Sequence, residues 1–211
     1  LTGRLLNSAT LWTTNGTATV LSGGVINTAN FNLGSAGTLT GGFVTNSGTL
    51  AAHSGANVNA LVVNQLAGAI EATNGFINFT GGLTNAGTLF LRNAGTLVVA
   101  TFTNTGTIAT LAGGNVSNLL VNAGFIQATN QTLTFINGLR NTGTFNVTAT
   151  VAGGTVTNLG TVQGTGVIGS FVVNQSRLNF GGTISNNLLQ TAGSFLLSGN
   201  ATITGSASIT G

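Results

Sequence analysis

The chain has 211 residues, is 42% hydrophobic and 2% charged, and carries a net charge of +3 from four basic residues and one acid. So aliphatic and charge-poor a chain has a core to bury and lacks the charge-rich signature of disorder. One acid and no cysteine leave no carboxylate pair for general acid–base work, no multi-acid calcium site and no thiolate metal site.

Partners are narrowed in the same way. Four scattered arginines make no phosphate-tracking patch, so no nucleic-acid partner is expected, and the pI near 12 reflects missing acids. No apolar run approaches the roughly 20 residues that cross a bilayer as a helix. With one Trp and no Tyr, the aromatic girdles of a membrane barrel are missing too. The expectation is a chain that does not span a membrane. The chain starts at Leu1 without a signal peptide and stops within its own pattern, which reads as a segment of a longer secreted protein.

Along the chain one motif returns: apolar-x-Asn-x-Gly-Thr-apolar. Full copies run from Val44 to Leu50, Leu83 to Leu89, Phe102 to Ile108, Leu139 to Phe145 and Val156 to Val162. The motif asparagine stands at Asn7, Asn27, Asn46, Asn64, Asn85, Asn104, Asn122, Asn141, Asn158 and Asn174, with Gln190 in an eleventh copy. The spacing is 16 to 21 residues and shortens toward the C-terminus. That period is too short for two-helix repeats, and the β-branched content points to strands. A rung of two or three short strands, stacked on the next rung, is the simple solution.

Facing follows from alternation. The residue two before each asparagine is always apolar, from Leu5 and Val25 through to Val172 and Leu188, so this column points inward. The residue just before each asparagine then points outward, yet it is often apolar: Leu6, Ile26, Val63, Val121, Val173 and Leu189. Those six form a candidate interaction stripe. A second outward column is mostly polar but holds Trp12 and Phe90, which are candidates for stacking on sugar rings or on a neighbouring rod. The asparagines themselves suit corners, where they tolerate positive φ and cap their own backbone, and a stacked column of them suits rung-to-rung bonding. Gly-Gly pairs such as Gly81-Gly82 and Gly153-Gly154 mark other corners.

The fold class expected is therefore all-β: a parallel β-helix, or β-solenoid, of about eleven rungs, running as one segment over residues 1–211 and roughly 50 Å long. The repeated Asn-x-Gly-Thr-apolar strings, such as Asn46 to Leu50 and Asn104 to Ile108, and the Gly-Gly corners resemble the passengers of bacterial autotransporters and the filamentous-haemagglutinin class of exoproteins. The resemblance implies a right-handed helix, secretion across an outer membrane, and a role in adhesion or surface structure. The Asn-Pro-x-Leu string of two-partner secretion domains has no counterpart here, since the chain has no proline.

No residue set points to catalysis, a cofactor or a metal. Glu71 is the only acid and reads as a surface charge; His53 is the only histidine and reads as a corner residue, with Ser54 beside it. Arg4, Arg92, Arg140 and Arg177 read as scattered solubilising charges. The function expected is a non-catalytic stalk or fibre module of a bacterial surface or extracellular adhesin-like protein. Its expected contacts are homotypic, end to end or lateral, or with a host or matrix glycan or protein. Two alternatives stand beside it. One is a carbohydrate-binding solenoid. The other is an ice-binding solenoid, for which Thr17-Ala-Thr19, Thr38-Leu-Thr40, Thr132-Leu-Thr134 and Thr202-Ile-Thr204 would supply the threonine pairs.

Overall fold

Short alternating runs separated by Asn, Gly and Thr fold into short strands, and the chain winds three of them into each rung. The structure is a computed structural model; it describes residues 3–13, 15–16, 18–93 and 95–210. In the fifth rung the strands are Leu83–Asn85, Thr88–Arg92 and Thr96–Val99, here called faces 1, 2 and 3. Every strand pairs in parallel with its counterparts one rung before and after, except at the two ends, where one partner is present. Leu83 lies opposite Val62 and Phe102, Leu89 opposite Ile70 and Ile108, and Leu97 opposite Ile77 and Val116.

Face 2 is one eleven-stranded sheet. Faces 1 and 3 merge into a 21-stranded sheet through two nine-residue strands, Thr38–Asn46 and Ala56–Asn64, which run round the corner between them. The result is a right-handed parallel β-solenoid, the hand that parallel crossovers adopt. Its rungs rise about 4.8 Å each.

The interior is largely apolar and built in columns. On face 1 the inward residues Val25, Val44, Val62, Leu83, Phe102, Leu120, Leu139, Val156, Val172 and Leu188 are all buried; Leu5, in the first rung, packs partly buried against them. Face 2 sends in Phe31, Leu50, Ile70, Leu89, Ile108, Ile126, Phe145, Val162 and Leu178. Across the core Phe135 of face 3 meets Phe145 edge to face, with centroids 5.8 Å apart, the arrangement aromatic quadrupoles favour. The rungs shorten mainly on face 3: Thr96–Val99 has four residues, whereas Val167–Ile168, Thr183–Ile184 and Thr202–Ile203 have two.

The motif corner works differently from the expectation of left-handed asparagines. The motif asparagines end the face 1 strands and point inward; none has a positive φ. The motif glycines do not need positive φ either. They are required because successive corners stack with no space for a side chain. A Cβ on Gly106 would lie 2.1 Å from the carbonyl oxygen of Gly87, and one on Gly124 would lie 2.1 Å from that of Gly106. The tight stacking lets the corner amides bond the rung before: the N–H groups of Thr105 and Gly106 both donate to the carbonyl of Asn85, at 2.8 and 3.0 Å. Glycine's left-handed freedom is used at the other corners, as at Gly82 and Gly153 with φ of 97° and 103°.

Candidate functional site

Inside the corner between faces 1 and 2, the motif asparagines form an unbroken chain of side-chain amides. The Nδ2 of each donates to the Oδ1 of the next, from Asn7 through Asn27, Asn46, Asn64, Asn85, Asn104, Asn122, Asn141, Asn158 and Asn174 to Oε1 of Gln190. These ten bonds measure 2.6 to 2.9 Å, and all are buried. The same Nδ2 atoms reach corner carbonyls, as Asn104 does to Gly106 at 3.0 Å. A buried amide must be satisfied, and here each one is satisfied by its neighbours in the stack. The column ends where Ile209 lies opposite Gln190.

Outside the same strands runs the column Leu6, Ile26, Thr45, Val63, Thr84, Thr103, Val121, Arg140, Thr157, Val173 and Leu189, each opposite the next. Leu6 is 62% exposed, while Ile26, Val63, Val121, Val173 and Leu189 are half-buried by their neighbours. The column is not one apolar stripe, because threonines and the exposed Arg140 interrupt its middle. Its apolar character is instead widened near the N-terminal rungs by two residues the sequence reading missed. Phe43 and Leu61 are paired in the neighbouring column and partly exposed, and the Arg4 guanidinium lies 5.5 Å from the Phe43 ring centroid.

Face 2 holds a different grouping. Its outward column begins Trp12, Asn32, Ala51, Glu71, Phe90, each opposite the next. Beside it a second outward column carries His53, Thr73 and Arg92: His53 Nδ1 is 3.1 Å from Thr73 Oγ1, and Thr73 lies opposite Arg92. Arg92 Nη2 reaches Glu71 Oε1 at 3.4 Å, and its guanidinium stacks on Phe90 at 5.0 Å from the ring centroid. Glu71 is thus a paired charge and not an isolated one. Trp12 is 65% exposed and shares with Asn15, Gly34, Ser35 and His53 a shallow hollow of about 580 Å³. Asn15 is held there by the Ser35 N–H, which donates to its Oδ1 at 3.0 Å. A Cβ on Gly34 would sit 2.7 Å from that oxygen, so the glycine keeps the hollow open. The alignment signal for this grouping was present: His53 and Arg92 both lie seven residues after a motif asparagine. A two-residue insertion in the rung between them hides that Thr73 belongs to the same column.

The remaining sequence candidates stay apart. Ser54 is exposed, and His53 bonds Thr73 instead. Thr38 and Thr40 lie opposite Asn57 and Asn59, and Thr134 opposite Asn115 and Ala152; Thr202 lies opposite Thr183, their hydroxyls 3.0 Å apart, but Ser185 and not a second threonine follows Thr183, so threonine pairs do not stack on threonine pairs. Thr17 lies outside the described residues. Among the described residues there is no group of three or more His, Cys, Asp or Glu side chains, and no helix is long and apolar enough to cross a membrane. Neither a family model nor a curated protein nor a solved structure matches the chain.

Proposed function

We propose that this chain is a non-catalytic stalk or fibre segment of a bacterial surface or extracellular adhesin-like protein, of the kind its repeats resemble. The observation that carries the reading is the uninterrupted bonding between rungs. Each interface is closed by parallel strand pairing on three faces and by a buried amide bond at the corner, as between the rungs of Asn85 and Asn104. Tension along the axis is therefore shared at every interface by many bonds in parallel, which is what a spacer needs. The dispersed chemistry supports the same reading: the one acid, Glu71, is engaged by Arg92, and His53, bonded to the Thr73 hydroxyl, has no second acid to orient it.

The test is location and activity together. Antibodies raised against the segment are applied to intact and to permeabilised cells that carry the parent protein. Labelling of intact cells is the expected outcome, and labelling only after permeabilisation overturns the surface role. Turnover of polysaccharide or ester substrates by the pure segment, lost on changing His53 or Glu71, overturns the non-catalytic reading.

A further inference from the structure

The chain has six ionisable side chains: four arginines, one glutamate and one histidine, in addition to a single tryptophan. Such scarcity makes their placement informative. His53, Glu71 and Arg92 stand on three consecutive rungs of face 2, and Trp12 and Asn32 occupy the two rungs above them on the same face. Phe90 shares the rung of Arg92. Residues scattered over some 80 positions of sequence are thus gathered on one surface by the stacking of rungs.

We infer that this five-rung surface is a binding site for a neutral oligosaccharide lying along the rod axis. Trp12 offers an open aromatic platform at one end, to which the apolar C–H face of a sugar ring stacks. Phe90, half-buried and with the Arg92 guanidinium over one ring face, offers a second aromatic surface four rungs away, about 19 Å at the sheet spacing. That distance is spanned by a chain of several rings and not by one. Between the platforms lie the small Ala51 and Gly34, which leave the surface shallow, and the polar ends of Asn32, His53 and Glu71, which match hydroxyl donors and acceptors. The Glu71–Arg92 contact of 3.4 Å is long for a charge-assisted bond. The pair engages one carboxylate oxygen and one guanidinium nitrogen, so the charges are neutralised while the other oxygen and the other Nη remain as acceptor and donor for hydroxyls.

Charge selects the ligand class. Glu71 and Arg92 neutralise each other, so the surface presents polar groups without net charge, the complement of a neutral polyhydroxylated chain. An anionic glycan would meet an arginine already paired, and a cationic one a carboxylate already paired. An apolar protein partner would strand the polar groups between the two aromatics without partners, which costs binding energy.

This site is independent of the stalk reading: a spacer that binds no sugar remains a spacer. The single tryptophan makes the test direct, because its fluorescence reports on the site alone. The 211-residue chain is titrated with cellotetraose, chitotetraose and maltotetraose, with the matching monosaccharides, and with a heparin-derived tetrasaccharide. The expected result is a saturable change in Trp12 emission with at least one neutral tetrasaccharide, and none with its monosaccharide at the same concentration. Phe90→Ala and His53→Ala should each weaken binding about tenfold or more, while Thr103→Ala on face 1 should not. Calorimetry should show the same loss for Trp12→Ala, with unchanged β-sheet circular dichroism as the folding control. No change with any neutral tetrasaccharide, a response to the heparin fragment alone, or binding indifferent to Phe90→Ala overturns the proposal.

Discussion

Asn85 Nδ2 donates to Asn104 Oδ1 at 2.7 Å, with both side chains closed off from solvent. The bond joins residues 19 apart in sequence and one rung apart in space. Replacing Asn104 by Leu keeps the branched shape but leaves Asn85 without this acceptor and Asn122 Oδ1 without its donor. Each buried group deprived of a partner costs about 1–3 kcal/mol, so Asn104→Leu should lose about 2–6 kcal/mol. Asn146 also bonds across rungs, to Gln127 at 2.7 Å, but on the outer surface of face 2. Water can replace that bond, and Asn146→Leu should cost less than about 1 kcal/mol. Urea midpoints of the two variants check the contrast; equal midpoints would remove the ladder from the stability of the rod.

Glycine at the motif corner is a matter of space. Gly106→Ala should destabilise by about 3 kcal/mol or more, because the added carbon meets backbone that cannot yield. Gly3 has open space where its Cβ would be and no left-handed φ, so Gly3→Ala should be neutral within about 0.5 kcal/mol. Thermal unfolding followed by circular dichroism reads both.

Facing on face 1 is checked by a neighbouring pair. Leu83 is buried between Val62 and Phe102, and Thr84 points outward between Val63 and Thr103. Leu83→Asp places a carboxylate in the apolar core without a partner and should cost several kcal/mol or prevent folding. Thr84→Asp keeps its charge in water and should leave the midpoint within about 1 kcal/mol of the parent. Similar behaviour of the two variants would show that the facing is wrong.

The apolar patch of Leu6, Ile26, Phe43, Leu61 and Val63 bears on assembly. With a net charge of +3, copies of the rod repel one another little. Sedimentation at rising concentration should show association, and Leu61→Lys combined with Val63→Lys should reduce it. A monomer at all concentrations would exclude lateral packing through this face.

The parallel solenoid of about eleven rungs was legible in the sequence because its cause is local and repeated. An apolar residue two before each asparagine, and alternation on either side of it, assign Leu83 and Phe102 inward and Thr84 and Thr103 outward without knowledge of any contact. A period of about 18 residues in a β-branched chain admits few other ways to bury those columns. The tertiary structure decided what depends on neighbouring rungs. The carbonyl of Gly87 makes Gly106 necessary, although nothing near Gly106 in sequence says so. Phe43 and Leu61 enlarge the face 1 patch from a column beside it, a pairing that no spacing in the sequence announces. Above all, His53 and Arg92 are isolated residues in the sequence. They join the outward column of Trp12, Glu71 and Phe90 only when rungs of unequal length are brought into register, because strand pairing, and not sequence distance, determines which side chains meet.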